Sequence, residues 1–140
     1  MTFIPYLTFD GTAEAAMNFY ADVFQATEIQ IMRYSDAPAD EGLPASDRVM
    51  HAHIMLGDQC LMAADGMPGT PVPAQDSVSI NHPVPSVAVG QAIFDKLSDG
   101  AEIIMPYGPT FYAPAFGMLR DKFGTNWMIG VYPEDETMPQ

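Results

Sequence analysis

Two histidines, His51 and His53, are the residues of this chain best suited to proton transfer. They lie two positions apart in an alternating run, 49–56, that predicts a β-strand, so both imidazoles point to the same face of a sheet. Val49 and Met55 are predicted to share that face. The intervening apolar residues are predicted to face a helix: Met50, Ala52, Ile54 and Leu56.

A pair of imidazoles could serve acid–base catalysis, with His51 the favoured residue, or polar ligand contacts, or a non-standard metal site. The alternative is that one or both hydrogen-bond within a dimer interface or at a wet sheet edge. Cys60 lies on the strand after a predicted hairpin turn at 57–58. Across this hairpin, His51 or His53 could activate its thiol as a nucleophile. The alternative for Cys60 is a small buried apolar residue.

A second group of residues suits ligand binding. Tyr112 lies in a Pro/Gly-rich loop, 107–114, and the strand after it places Phe116, Met118 and Arg120 on one face. An aromatic and thioether wall with one guanidinium suits a flat organic ligand that carries an anionic group. Alternatively, the aromatic rings seal a dimer and Arg120 pairs with a neighbouring acid such as Asp121.

Composition narrows the possible partners. The 140 residues include 18 acidic and 5 basic ones, with a net charge of −13. Phosphate-backbone binding needs several converging cations, so we expect neither a nucleic-acid partner nor an anionic membrane surface. No apolar run is long enough to span a membrane, and the N-terminus lacks signal-peptide features. A lone cysteine excludes an internal disulfide and suits a reducing compartment, so we predict a cytoplasmic protein.

The elements that must position these residues occur in two similar halves. Module 1, about 1–65, is predicted as β-α-β-β-β, with a helix from Thr12, a plausible N-cap, to about Phe24. A Gly/Pro-rich linker at 66–76 precedes module 2, about 77–132, which repeats the order, and an acidic tail occupies 133–140. The predicted strands are 3–9, 27–34, 49–56, 59–65, 77–83, 101–106, 115–121 and 125–131, and the second helix runs from about Ser86 to Ser98.

An internal duplication explains this repetition. A shift of about 74 residues aligns Tyr6 with Ile80, and a shift of about 66 aligns Met62 with Met128. Each helix must bury its apolar stripe on one face of its own sheet, which leaves the other face to meet the second sheet, another chain or a ligand. The predicted fold class is therefore α+β, with two βαβββ modules whose paired sheets enclose a cavity.

The chain resembles the vicinal-oxygen-chelate superfamily, which includes glyoxalase I, bleomycin-resistance proteins and extradiol dioxygenases. Within it, the PhnB-like branch is the most similar. The residues that carry the resemblance are 5-PYLTFDGTAEAAMNFYADVF-24, 49-VMHAHIMLGDQCLMAAD-65, 92-AIFDKLSDGAEIIMP-106 and 110-TFYAPAFGMLRDKFGTNWMIGV-131. The resemblance implies a glyoxalase/bleomycin-resistance-like fold and a homodimer.

Enzymes of that superfamily typically hold a divalent metal with His, Glu or Gln on the first and last strands of each module. By the resemblance, those positions fall here on Pro5, on Ser79 or Ile80, on Met62 and on Met128. None offers an imidazole or a carboxylate, so we expect no metal site of that kind and no cofactor. Met62 and Met128 are instead predicted to join the ligand-binding wall.

Three functions remain open. The favoured one is metal-independent binding of a small, partly aromatic or apolar molecule. The second is a lyase- or transferase-type enzyme that acts on a small carbonyl substrate through His51 or His53, and the third is an interaction module without a ligand. Some PhnB-like proteins carry a ubiquinone-methyltransferase label, but no glycine-rich loop typical of S-adenosylmethionine binding follows a predicted strand here.

Overall fold

The computed structural model describes residues 2–132, so the acidic tail predicted at 133–140 lies outside the described residues. The chain forms two compact units that divide between Pro73 and Ala74, and each is an α+β module of one helix and four strands. The predicted α+β class with two βαβββ modules is confirmed. Neither helix among residues 2–132 has the length and apolar character needed to cross a membrane.

Module 1 contains β1, α1, β2, β3 and β4, and its sheet has the order β1-β4-β3-β2 with β1 parallel to β4. Two short 3₁₀ helices, Tyr34–Asp36 and Ala39–Glu41, lie in the loop after β2. The bounds are β1 Tyr6–Phe9, α1 Ala13–Phe24, β2 Glu28–Arg33, β3 Val49–Leu56 and β4 Gln59–Asp65.

Module 2 repeats this arrangement, with the sheet order β5-β8-β7-β6 and β5 parallel to β8. The bounds are β5 Ser79–Pro83, α2 Val87–Leu97, β6 Glu102–Gly108, β7 Ala115–Arg120 and β8 Asn126–Val131. In each module we call the sheet face that packs on the helix the near face, and the opposite one the far face.

The near face of module 1 forms a core with the apolar stripe of α1. Met17 and Tyr20 are fully buried at helical spacing, and they meet a sheet that presents Ala52, Ile54 and Ala63. The small alanines let the larger helix side chains approach the sheet closely. The predicted orientation of Ala52 and Ile54 toward the helix is therefore confirmed.

The start of α1 depends on a carboxylate from another strand. Thr12 occupies the predicted N-cap position, but its side chain makes no capping hydrogen bond. Asp65 replaces it: Oδ1 accepts from the backbone N–H groups of Gly11 (2.9 Å) and Ala13 (3.0 Å), and Oδ2 accepts from that of Val49 (2.9 Å). One buried side chain thus connects the β1–α1 turn, the start of β3 and the end of β4.

A β-bulge corrects the predicted faces at the start of β3. Met32 pairs with His51 but Arg33 pairs with Val49, so Met50 is the extra residue. Val49 is consequently buried, whereas Met50 is only half-buried, which reverses the predicted orientation of these two residues. His51 and His53 lie beyond the bulge and keep their common face.

In module 2 the strand predicted to end at 106 continues to Gly108. Tyr107 is therefore a strand residue rather than a loop residue. Its ring stacks on Phe94 with centroids 5.5 Å apart, and its hydroxyl donates to the Val87 carbonyl at 2.9 Å. These contacts place Tyr107 against α2, where burial raises the pKa of its hydroxyl above the ordinary value.

Trp127 and Ile129 of β8 are buried on the near face of module 2, whereas Val131 at the strand end is half-buried. Glu28 and Glu102, which lie at equivalent positions of the repeat, are both exposed. Their strand partners, Met55 and Arg120, also lie at equivalent places in the two sheets.

Candidate functional site

Three methionines form one row across the far face of module 2, and we call Met105, Met118 and Met128 the methionine row. Met128 pairs with Met118, and Met118 pairs with Met105. Asn81 of β5 pairs with Met128 and ends the row. Residues directly opposite one another on neighbouring strands have side chains in contact range, so the row forms a continuous soft surface.

Aromatic rings border the methionine row on one side. Phe116 is buried, and the ring of Tyr112 meets it edge-on with centroids 5.5 Å apart. The Tyr112 hydroxyl also lies 3.8 Å from the Met105 sulfur, within hydrogen-bonding range for sulfur. Tyr112, Phe116, Met118 and Met128 were all predicted to line a ligand site, and the structure brings these four together.

Tyr132 and Asn81 are part of the same surface and were not predicted from the sequence. The Tyr132 hydroxyl donates to Asn81 Oδ1 at 2.9 Å. Gly130 makes this placement possible, because a Cβ there would lie 3.0 Å from Phe116 Cδ2 and 3.3 Å from Tyr132 Cζ. The register of β5 against β8 determines which residues face Met128, and no local sequence pattern carries that information.

Arg120 has a different partner from the predicted alternative. Its guanidinium Nη1 lies 2.8 Å from Asp76 Oδ1, and Asp76 comes from the segment before β5. Asp121 instead accepts from the backbone N–H groups of Phe123 and Thr125, and from Trp127 Nε1 at 2.8 Å. Because exposed ion pairs contribute little, at most about 1 kcal/mol, Arg120 could exchange Asp76 for an anionic ligand.

On the far face of module 1, His51 and His53 lie together, with ring centroids 5.6 Å apart. Tyr6, whose place beside them was not predicted, has its hydroxyl oxygen 3.1 Å from His51 Nδ1. Met62 of β4 pairs with both His53 and Tyr6 on the neighbouring strands. Met62 was predicted to line the same wall as the module 2 residues, and the structure places it with the histidines on its own sheet.

Cys60 pairs with Met55, while His53 pairs with Met62, so the hairpin does not bring a histidine directly opposite the thiol. Burial, with a smaller contribution from the Glu28 carboxylate, raises the pKa of Cys60 above its ordinary value. A raised pKa disfavours the thiolate that a nucleophile requires. These observations favour the small-residue interpretation of Cys60 over the catalytic one.

The strand register shows which first-strand residues lie directly beside Met62 and Met128. Tyr6, not Pro5, pairs with Met62, and Asn81, not Ser79 or Ile80, pairs with Met128. A one-residue shift moves a side chain to the other face, so Tyr6 and Asn81 are the far-face residues. Within residues 2–132, no three His, Cys, Asp or Glu side chains come together as a possible metal site.

Each of the two modules has a near face covered by its helix and a far face that carries the candidate site residues. This arrangement is a fold of the glyoxalase/bleomycin-resistance class. A glyoxylase/bleomycin resistance protein/dioxygenase domain from Frankia sp. EAN1pec shares the fold at a TM-score of 0.68 and 14% identity, over 95% of this chain and 98% of that one.

Two solved structures with a higher sequence identity to this chain indicate a smaller group within the class. Protein PA1353 from Pseudomonas aeruginosa is 34% identical, with a TM-score of 0.86 over 94% of this chain and 98% of that one. A PhnB protein from Bacillus cereus is 30% identical, with a TM-score of 0.78 over 94% and 99% of the two chains. Residues 1–130 match the family described as 3-demethylubiquinone-9 3-methyltransferase, and the chain belongs to that family. The resemblance to the PhnB-like branch is confirmed.

Proposed function

We propose that the protein binds a small, partly aromatic or apolar molecule on the far face of module 2, without a metal. The observation that carries the proposal is the methionine row with Tyr112, Phe116 and Tyr132 beside it. Thioether side chains adapt to irregular apolar shapes, and aromatic rings offer flat surfaces for stacking. A sheet face of this composition fits a flat ligand.

Two polar groups would orient such a ligand. Tyr132 donates to Asn81 Oδ1, which turns the amide so that its NH₂ group can donate to a carbonyl or phenolic oxygen. Arg120, on the same face two residues after Met118, would pair with an anionic substituent in place of Asp76. The ligand class that fits is therefore a planar aromatic molecule with one acceptor and one acidic group.

A binding experiment tests this proposal. The protein would be titrated with a panel of planar aromatic carboxylates and followed by native mass spectrometry and calorimetry in the presence of EDTA. We expect Met128→Gln and Met105→Gln to weaken binding of any retained compound by at least about tenfold, since each places an amide in the apolar row. Met67→Gln, in an exposed loop of module 1, is the matched control. Equal affinities for all three variants would refute the proposed surface.

A second candidate is favoured by the contact between Tyr6 and His51. A histidine hydrogen-bonded to a phenol can transfer a proton, which suits a lyase- or transferase-type reaction on a small carbonyl substrate. Turnover assays, including the methyl transfer that the family description names, would be run with wild type, His51→Ala and His53→Ala. Activity unchanged in both variants would remove the histidines from the chemistry, and no turnover by wild type would leave binding as the function.

The proposal includes a homodimer in the cytoplasm, in line with what the resemblance implies and with the single cysteine. If the protein forms a dimer but no compound of the panel binds, an interaction module without a ligand becomes the better account. The oligomeric state and the ligand assay are independent measurements, so each part can fail on its own.

A further inference from the structure

The two imidazoles on the far face of module 1 have a spacing that suits a shared metal ion. Imidazole nitrogens bind transition metals at about 2.0–2.1 Å, so two rings on one tetrahedral ion have centroids about 5 Å apart, and on a linear one about 6 Å apart. The observed separation between His51 and His53 is 5.6 Å, with ring planes inclined by 49°. The separation between the two rings therefore fits one ion bound between them.

Tyr6 would orient the first of these ligands. Its hydroxyl oxygen lies 3.1 Å from His51 Nδ1, so the Nδ1–H of a metal-bound His51 can donate to Tyr6 and Nε2 keeps its lone pair for the ion. A hydrogen-bonding partner on the second ring nitrogen is the usual companion of a metal-bound histidine. Tyr6 is thus a positioning residue rather than a ligand.

The third donor determines which ion would bind. Met62 pairs with His53 on one side and with Tyr6 on the other, so its side chain lies on the same face as the imidazoles and directly beside His53. No third His, Cys, Asp or Glu joins the histidines in a metal-binding group within residues 2–132. Two imidazoles and a thioether suit a soft ion, and thioethers select Cu(I) among the first-row metals.

The charge of the protein also favours a cationic ligand. The net charge of −13 raises the local concentration of cations around the protein.

We propose that His51, His53 and Met62 bind one Cu(I) ion per chain, with Tyr6 orienting His51. The site lies entirely in module 1 and goes beyond the proposed ligand surface of module 2, so either could be absent without the other.

The test is an anaerobic titration of the full chain with Cu(I) against a chromophoric Cu(I) chelator, with X-ray absorption of the loaded protein. Wild type should withdraw one equivalent of Cu(I) from the chelator and show both nitrogen and sulfur scatterers. His53→Ala and Met62→Leu should each weaken binding by at least about tenfold, and Met62→Leu should remove the sulfur scatterer. Tyr6→Phe should weaken binding by about tenfold without changing the scatterers.

Two control variants make the result specific. His82→Asn removes the third histidine of the chain, from module 2, and Cys60→Ser removes the single thiol; both should bind Cu(I) as wild type does. The proposal is overturned if wild type fails to compete with the chelator, or if Cys60→Ser abolishes binding. Binding of Zn(II) as tight as that of Cu(I), with Met62→Leu unchanged for both ions, would also overturn it. Circular dichroism of each variant distinguishes a lost ligand from a lost fold.

Discussion

Asp65 connects separate segments of module 1. Its buried carboxylate accepts three backbone N–H groups from two separate segments. Asp121 has a comparable role in module 2, where it accepts two backbone N–H groups of the β7–β8 turn and the indole N–H of Trp127. These hydrogen bonds give both carboxylates a structural role in the turns that they connect.

We predict that Asp65→Ala lowers the free energy of unfolding by about 2–4 kcal/mol, because buried N–H groups then lose a charged acceptor. Urea denaturation measures the change. Asp58→Ala, in the exposed turn between β3 and β4, is the control and should stay within about 0.5 kcal/mol of wild type. Similar losses in the two variants would contradict the role assigned to Asp65.

His82 carries a pH-dependent part of the stability. It pairs with the buried Ile129, on the near face of module 2, and burial lowers the pKa of its imidazole below the ordinary value. In the window between the folded pKa and about pH 6.5, the unfolded chain binds a proton that the folded chain does not. The contribution of His82 to stability is therefore complete above that window and is lost as the pH falls through it.

The check is to compare urea midpoints at pH 7.5 and pH 5.5. Wild type should lose more stability between these two values than His82→Asn, because the variant has no imidazole to protonate. Identical losses in the two proteins would show that His82 does not contribute to this pH dependence.

At the scale of the elements, β6, β7 and α2 approach one another closely at Gly117. A Cβ on Gly117 would lie 2.7 Å from Phe94 Cε2 and 2.9 Å from the Tyr107 Cα, and the backbone atom cannot move aside. Gly108, in the neighbouring strand, has no heavy atom within 4 Å of the same added Cβ. These two glycines form a matched pair, one packed and one open.

We predict that Gly117→Ala lowers the free energy of unfolding by about 1–3 kcal/mol, as expected for overpacking. Gly108→Ala should be neutral or slightly stabilising, because alanine reduces the freedom of the unfolded chain and meets no obstacle. Thermal denaturation of the two variants measures the difference. If Gly108→Ala were the more damaging substitution, the packing described for β6 and β7 would be wrong.

Hydrophobic periodicity predicted the helices and strands well, because the repeat of each element lies within its own residues. The alternation in β7 was enough to place Phe116, Met118 and Arg120 on one face, and Met118 pairs across that face with Met128. What the sequence could not supply was the pairing between distant strands. Tyr6 and Asn81 join the far faces only through the parallel registers β1–β4 and β5–β8, which are made by residues about 50 positions apart.

Irregularities caused the remaining errors. The bulge at Met50 exchanged the faces of Val49 and Met50, and a bulge depends on the partner strand as much as on its own residues. Arg120 lies next to Asp121 in sequence, yet Asp121 is held by its own turn and Trp127, so Arg120 pairs with Asp76. Neighbours along a strand point to opposite faces, which explains why the nearer acid is not the partner.

At the scale of the whole molecule, the net charge of −13 opposes self-association of the proposed homodimer. Salt shortens the range of this repulsion to about 10 Å at 0.1 M. We predict that the dimer dissociation constant decreases when the salt concentration rises from 20 to 200 mM. Light scattering after size-exclusion chromatography measures the mass at each concentration, and a dimer that weakens with salt would show that attractive ion pairs dominate its interface.

The most direct test of the ligand-binding account uses methionine methyl groups as reporters. The chain has eleven methionines, so a protein labelled with ¹³C at the methyl carbons gives a simple spectrum that can be assigned by single substitutions. On addition of a planar aromatic carboxylate that binds, the methyl signals of Met105, Met118 and Met128 should shift together. The signal of Met17, fully buried in module 1, should not move. A ligand that binds while leaving all three signals of the methionine row unchanged would contradict the account.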